Sequence, residues 1–288
     1  MTAAKSFDAL KSWVGRRQVT DDTATLPPVA ALAATLDRSD PPPKPGDALP
    51  PLWHWLYFLE AKPASELGPD GHPRRGGFLP PVPLPRRMWA GSRLGFLRPI
   101  PLGAAIRRDS EIVKIETKEG RSGTLVFVTV RHWIIAGGAP AIDEEHDIVY
   151  RAPPKPGEGA APATGKPAPA NAAWSRDLTP DPVLLFRYSA LTFNGHRIHY
   201  DHPYVTQVEG YPGLVVHGPL QATLMLDLVR RQRPQARVER FSFRAVSPVF
   251  AGRRLRVGGQ PDAGGSKAAL WIADDTGSLA MEGEAVLA

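Results

Sequence analysis

Four histidines carry most of the chemistry open to this chain. His196, His199 and His202 fall within seven residues, and His217 follows further on, at the start of an apolar run. A neutral imidazole can take a proton or activate water near physiological pH. Pro219 suits the first turn of a helix, where its missing N–H leaves nothing unsatisfied. The free N–H groups of that turn, Gly218's included, carry the positive end of the helix dipole and can hold a developing enolate oxygen. A base, the un-ionisable amide of Asn194 and an oxyanion-binding helix end together suit addition or elimination of water beside a thioester carbonyl.

These side chains need positioning elements on either side. Residues 183–190 read as a strand, and Thr192-Phe193-Asn194-Gly195 as a turn out of it. An extended His199-Tyr200-Asp201 would put His199 and Asp201 on one face, where Asp201 could orient the imidazole. Gly210, Pro212 and Gly213 shape a loop into a helix over 217–231, whose Leu220, Leu224, Met225 and Leu228 form one buried stripe.

The rest of the chain reads as scaffold. Phe7, Leu10, Trp13 and Val14, then Val29, Leu32, Ala33 and Leu36, predict one or two helices within 1–40. A proline-rich break spans 41–46, and the aromatic run 52–59 predicts a buried helix. A Pro/Gly-rich loop over 62–85 leads into a strand block over 88–150, with Leu125 to Val130 as a buried β-branched strand. Residues 152–170 are a Pro/Ala/Gly linker, and a second strand block closes the chain. Pro99 to Arg107 and Pro248 to Arg256 match at a constant offset, each with a Pro-x-x-x-Gly turn. Two copies of one α+β unit are expected: residues 1–151, a linker over 152–174, and residues 175–288.

Composition narrows the class. Of the 288 residues, 42% are hydrophobic and 22% charged. Such a balance is ordinary for a globular protein. The apolar runs all stop short of a membrane span, which takes roughly 18 residues. The N-terminus lacks an apolar signal core. The absence of cysteine removes thiolate and disulfide chemistry and fits a cytoplasmic location. A net charge of +6 favours an anionic partner. The arginines are scattered and no nucleic-acid motif occurs; a CoA thioester accounts for the charge equally well, as does a generally basic background.

The stretch Tyr188-Ser189-Ala190, Asn194-Gly195-His196-Arg197-Ile198-His199-Tyr200-Asp201, then Glu209-Gly210-Tyr211-Pro212-Gly213-Leu214-Val215-Val216-His217-Gly218-Pro219-Leu220, resembles the catalytic region of the MaoC-like hot-dog hydratases and dehydratases. Within them it looks like the branch of type 2 3-hydroxyacyl-thioester dehydratases and mesaconyl-CoA and itaconyl-CoA hydratases. Arg87-Met88-Trp89-Ala90-Gly91-Ser92 is similar to that branch too. The resemblance implies an α+β double hot-dog, two antiparallel sheets each wrapped around a helix, with a degenerate first half and a catalytic second. It implies a hydro-lyase acting on an acyl-CoA or acyl-carrier-protein thioester, without cofactor or metal. His199 would transfer the proton, Gly218 N–H would hold the oxyanion, and Trp89, His217 and Arg197 would contact substrate. The broad family has an acid where this chain has Asn194, so Asn194 is assigned to orienting water or substrate.

Other readings stand beside these. His196 and His202 suit structural or substrate-contacting roles, and a metal cluster of His196, His199, Asp201 and His202 lacks a supporting zinc-site pattern. Trp53, Trp55, Tyr57 and Phe58 suit the core; Arg86, Arg87 and Arg93 suit CoA phosphates, a substrate carboxylate or a solvated face. A straight-chain dehydratase and a non-catalytic thioester-binding module are the alternatives to a branched dicarboxylic acyl-CoA hydratase. One chain holding both hot-dogs fits a monomer and a homodimer equally.

Overall fold

The computed structural model describes residues 7–120, 123–152 and 165–288. The alternation expected for a strand is plain at Val126, Val128 and Val130, which are buried while their neighbours are less so. The first half contributes β1 (Arg17–Thr23), β2 (Arg86–Phe96), β3 (Ala105–Gly120), β4 (Gly123–Ala136) and β5 (Ala139–Arg151). The second contributes β6 (Trp174–Leu178), β7 (Val238–Ala245), β8 (Leu255–Pro261), β9 (Lys267–Ala273) and β10 (Leu279–Leu287).

Both halves arrange their strands identically: first, third, fourth, fifth, second. Their second strands, β2 and β7, pair antiparallel from Gly91↔Arg244 to Gly95↔Arg240 and fuse everything into one ten-stranded sheet. The matched turns do the same work in each half. Gly103 takes a φ of 92° and Gly252 a φ of 79°. Only glycine is unstrained in that region. Ile100 O accepts from Leu49 N at 2.8 Å, and Val249 O from Val216 N at 2.9 Å. This is a double hot-dog built as one continuous sheet.

Among the described residues three α-helices complete it: α1 (Leu26–Thr35), α2 (Pro182–Thr192) and α3 (Gly218–Gln232). In α3 every residue from Leu220 to Val229 is buried, polar Gln221, Thr223 and Asp227 included, so the expected single stripe is in fact a fully enclosed helix. At the matched place the first half has only a 3-10 turn, Trp53–Leu56, where a buried helix was expected. The N-terminal segment likewise forms a 3-10 turn, Ala9–Trp13, before β1.

Residues 183–190, read as a strand, are helical. Asp181 Oδ1 accepts the Leu184 N–H at 2.7 Å, and Pro182 occupies the first turn. This is a capped helix start. The buried set Leu185, Tyr188 and Ser189 has helical spacing. A short apolar run does not by itself distinguish strand from helix. Most of the linker lies outside the described residues, but Ala168 N donates to Gly277 O at 2.9 Å, and Ala168 and Ala172 pack beside Trp271. Among the described residues no helix is long and apolar enough to cross a membrane.

Burying α3 also buries the Asp227 carboxylate, whose side chain is 0% exposed. Arg38 Nη1 (2.5 Å), Arg176 Nη1 (2.8 Å) and Arg231 Nε (2.7 Å) surround it. Removing one partner of such a group leaves unpaired buried charge, a loss of about 3–5 kcal/mol. Asp227→Ala should therefore lower the urea-unfolding free energy by that amount; a loss under about 1 kcal/mol would mean that the arginines are adequately solvated without it.

Candidate active site

The site forms where the C-terminal end of α2 meets the N-terminal end of α3. Between them lies the 3-10 turn Arg197–His199. His199 is 6% exposed, and its Nδ1 lies 2.7 Å from Val215 O. A carbonyl only accepts, so Nδ1 carries the hydrogen and Nε2 of the neutral ring keeps its lone pair. His217 caps α3, stacks on His199 with centroids 3.6 Å apart, and bonds Ser189 Oγ of α2 through Nε2 at 2.8 Å. Asn194 Oδ1 accepts the His196 N–H at 3.0 Å and so shapes the turn. Gly218 opens α3, where first-turn N–H groups have no carbonyl four residues back. A Cβ there would meet only Trp89 O at 3.9 Å and Met281 Cε at 4.0 Å, so packing alone does not require glycine.

Burial holds these imidazoles neutral. It lowers His199 to about 4, against a smaller opposing effect of the Val215 carbonyl. Burial and then its histidine neighbours push His217 well below its usual range and His196 to about 2. The expected pKa near neutrality gives way to a ring that is wholly a base at pH 7.

The structure reassigns two residues. Val215 O orients His199, whereas Asp201 bonds Arg197 Nε at 2.9 Å and accepts the Tyr204 N–H at 3.0 Å. The segment 199–201 is a turn, which breaks the extended face that would have joined them. Arg197 is held by Asp201 and by Pro69 O at 2.9 Å, so it braces a first-half loop against the site and lies off the cavity wall. His202 is exposed.

A cavity of about 770 Å³ runs from this site into the first half. Ser189, Asn194 and Pro219 line it; His199 is packed one side chain behind, between His217 and His196. Trp89, whose backbone lies against the start of α3, also lines the cavity, anchored by its Nε1 donating to Gly91 O at 3.1 Å and Ser92 Oγ at 3.0 Å. Arg87 also lines it, whereas Arg86 pairs with Glu209 and Arg93 with Glu145 and Asp147.

Beyond Arg87 and Trp89, the first half's share of the site was not legible in the sequence. The loop bearing Asp70 and His72 closes on the turn of Gly195, Arg197 N donating to Asp70 O at 2.9 Å. Gly71 lies so near Gly195 that a Cβ on it would overlap the Gly195 carbonyl oxygen. Asp70, His72 and His196 bring one ligand-type atom each within 4.8 Å, a different group from the histidine set considered above. His54, Arg108, His132, Glu144 and His146 line the same cavity. Scattered from His54 to His146, they have no common spacing; the one signal was polar residues interrupting apolar strands.

Fold and site together describe a double hot-dog scaffold in which a buried imidazole is stacked on the residue that caps α3, beside a cavity that runs into the first half. Residues 52–251 match the family described as hydroxyacyl-thioester dehydratase type 2. The mesaconyl-C(4)-CoA hydratase of Chloroflexus aurantiacus is 48% identical over 251 residues, covering 87% of this chain and 89% of that protein. The mitochondrial hydroxyacyl-thioester dehydratase type 2 of Schizosaccharomyces pombe is 32% identical, over 73% of this chain and 77% of its own. Two solved structures share the fold. A MaoC-like dehydratase from Phytophthora capsici has TM-score 0.64 and 17% identity, covering 100% of this chain and 99% of that one. A Mycobacterium tuberculosis protein described as a double hotdog has TM-score 0.59 and 18% identity, covering 98% of each. The chain belongs to the hydroxyacyl-thioester dehydratase type 2 family, a family of hydro-lyases.

The depressed histidines set a pH test. His199 protonates near 4 when folded but near 6.5 when unfolded, so between these values the unfolded chain binds more protons. Its stability contribution is complete above about 6.5 and is lost as pH falls towards 4. The urea midpoint should thus decline below pH 6.5 while turnover by folded enzyme stays level through that value. An acid limb in kcat centred on about 6.5 would show instead that His199 titrates as an exposed imidazole.

Proposed function

We propose that this enzyme reversibly adds water across the double bond of a 2-enoyl-CoA, with His199 as base and Gly218 N–H as oxyanion donor. The observation that carries the reading is the His199 tautomer: Nδ1–H is committed to Val215 O, leaving Nε2 with a free lone pair at neutral pH. In the forward direction Nε2 takes a proton from water as its oxygen attacks C3. The double-bond electrons move to the thioester oxygen as an enolate, met by the Gly218 N–H at the positive end of α3. The imidazolium then returns its proton to C2, so one water is added and the base is restored. Asn194, which cannot ionise, orients water or acyl group, and Trp89 and His217 shape the walls.

For the acyl group we favour a branched dicarboxylic CoA thioester of the mesaconyl or itaconyl type. The 48% identity to a mesaconyl-C(4)-CoA hydratase over most of both chains supports this. The second reading, a straight-chain 3-hydroxyacyl-thioester dehydratase, draws on the Schizosaccharomyces pombe relative.

Turnover of crotonyl-CoA, mesaconyl-CoA and itaconyl-CoA by wild type and His199→Ala tests both. Loss of about 100-fold or more in the variant is the scale of a general acid–base residue. Full activity in His199→Ala would move the chemistry elsewhere, and preference for crotonyl-CoA would favour the second reading. Gly218→Ala, which the packing tolerates, should keep the wild-type melting temperature. It should nevertheless lose about 10- to 100-fold in kcat/KM through displacement of the bound carbonyl. Unchanged kinetics would remove Gly218 from the oxyanion role.

A further inference from the structure

One face of the first-half sheet carries a polar band where an apolar lining would be ordinary. Arg108 and Ser110 share a face of β3, and register places Ser110 beside His132 of β4 and His132 beside Glu144 of β5. His146 follows Glu144 on the same face. Arg108, His132, Glu144 and His146, together with His54, line the same cavity as Ser189 and Asn194.

Most of this band is internally satisfied. Glu144 accepts from Trp55 Nε1 at 3.2 Å and Ser92 Oγ at 3.3 Å, and its Oε2 lies 3.0 Å from His54 Nε2. Burial opposes its charge, but the His54 bond and the surrounding histidines outweigh that and hold Glu144 low, at about 2. His132 Nδ1 lies 2.7 Å from Ser110 Oγ.

Three atoms are not satisfied. His54 Nδ1, Arg108 Nε and His146 Nε2 are buried without a hydrogen-bond partner. Most buried polar atoms in proteins are bonded, so three unpartnered atoms among these cavity residues leave hydrogen-bonding capacity for a polar ligand. Arg108 is the decisive one. Its guanidinium lies over the Phe58 ring (5.2 Å) and makes one long bond, to Phe58 O at 3.4 Å, and no carboxylate pairs with it among the described residues. A half-buried cationic fork that no carboxylate bonds, though Glu144, Glu60 and Asp22 lie near enough to act on its charge, can take a ligand carboxylate. The wall around it, Phe58 and Ile134, suits a short hydrocarbon chain.

We propose that Arg108 is the specificity residue for a second carboxylate on the acyl group, carried on or next to the carbon that water attacks and so bound in the same cavity as the reacting double bond. The assignment rests on the dicarboxylic reading above. It gives the half without the His motif a direct part in the reaction, recognising the acyl group that the other half hydrates. Glu144, its charge held by Trp55, Ser92 and His54, keeps a like charge from facing the bound carboxylate unpaired.

The test compares mesaconyl-CoA with crotonyl-CoA, which lacks the second carboxylate, in wild type, Arg108→Gln, Arg108→Lys and Arg87→Gln. In Arg108→Gln, kcat/KM for mesaconyl-CoA should fall about 10- to 100-fold further than that for crotonyl-CoA, the range of a lost charged hydrogen bond. Arg108→Lys should recover part of the ratio by restoring charge without the fork. Equal losses on both substrates would overturn the assignment, as would a selective loss in Arg87→Gln instead. If Arg108→Gln does not fold, the ratio in Arg108→Lys decides, an unchanged ratio counting against Arg108. A wild type that hydrates crotonyl-CoA and ignores both dicarboxylic thioesters would refute the substrate reading by itself, before any variant is compared.

Discussion

The structure depends on one helix that has no solvent face. Enclosed α3 puts Leu220, Leu224, Met225 and Leu228 into the main hydrophobic core, to which both halves contribute, and so ties the two halves to one packed interior. Enclosure also sets two electrostatic conditions. A buried helix end still presents unpaired N–H groups, so the start of α3 must open onto something that accepts hydrogen bonds. At the far end the buried Asp227 must be surrounded by cations, and Arg38, Arg176 and Arg231 do this from three different parts of the chain. The cavity at one end and the arginine cluster at the other both follow from the helix being inside.

Duplication explains the rest of the layout. The halves share a strand order and a turn geometry, yet the first has no long central helix and substitutes the 3-10 turn Trp53–Leu56. Left-handed backbone at Leu52, with φ of 69°, and at Phe58, with φ of 57°, brackets that substitution. Side chains of that size disfavour the region. The room released on this side is where the cavity extends, and the β3–β5 face that would have packed on a helix carries Arg108, His132 and Glu144 instead. Loss of one helix thus converts half of a symmetric scaffold into a wall.

The sequence was informative wherever function depends on local spacing. His199 and the His217-Gly218 helix start are near neighbours along the chain, and the fold stacks the two imidazoles 3.6 Å apart. The β-branched alternation of Val126, Val128 and Val130 was equally readable. What escaped depended on long-range context. Residues 183–190 are apolar enough for either periodicity, and the Asp181 cap decided for a helix. The His199 pKa could not be read because burial, which shifts it, comes from the whole enclosure. Arg108, His132 and Glu144 meet only through strand register, which no spacing in the chain encodes.

The histidines around the cavity differ in what they face, although burial also lowers His132 to about 3 and His146 to about 4. Beside α3, His196, His199 and His217 contact one another, and each is kept neutral mainly by burial. In the first half, His54 faces the ionised Glu144 at 3.0 Å, a charged group held in place by its partners. A neutral base suits the place where water must lose a proton, since a carboxylate beside His199 would stabilise the imidazolium and oppose the proton's return to carbon. Fixed charge suits the place where recognition is wanted without proton transfer. Asn194 rather than an acid in the cavity lining is consistent with the proposed mechanism, because an amide can orient water without adding a charge.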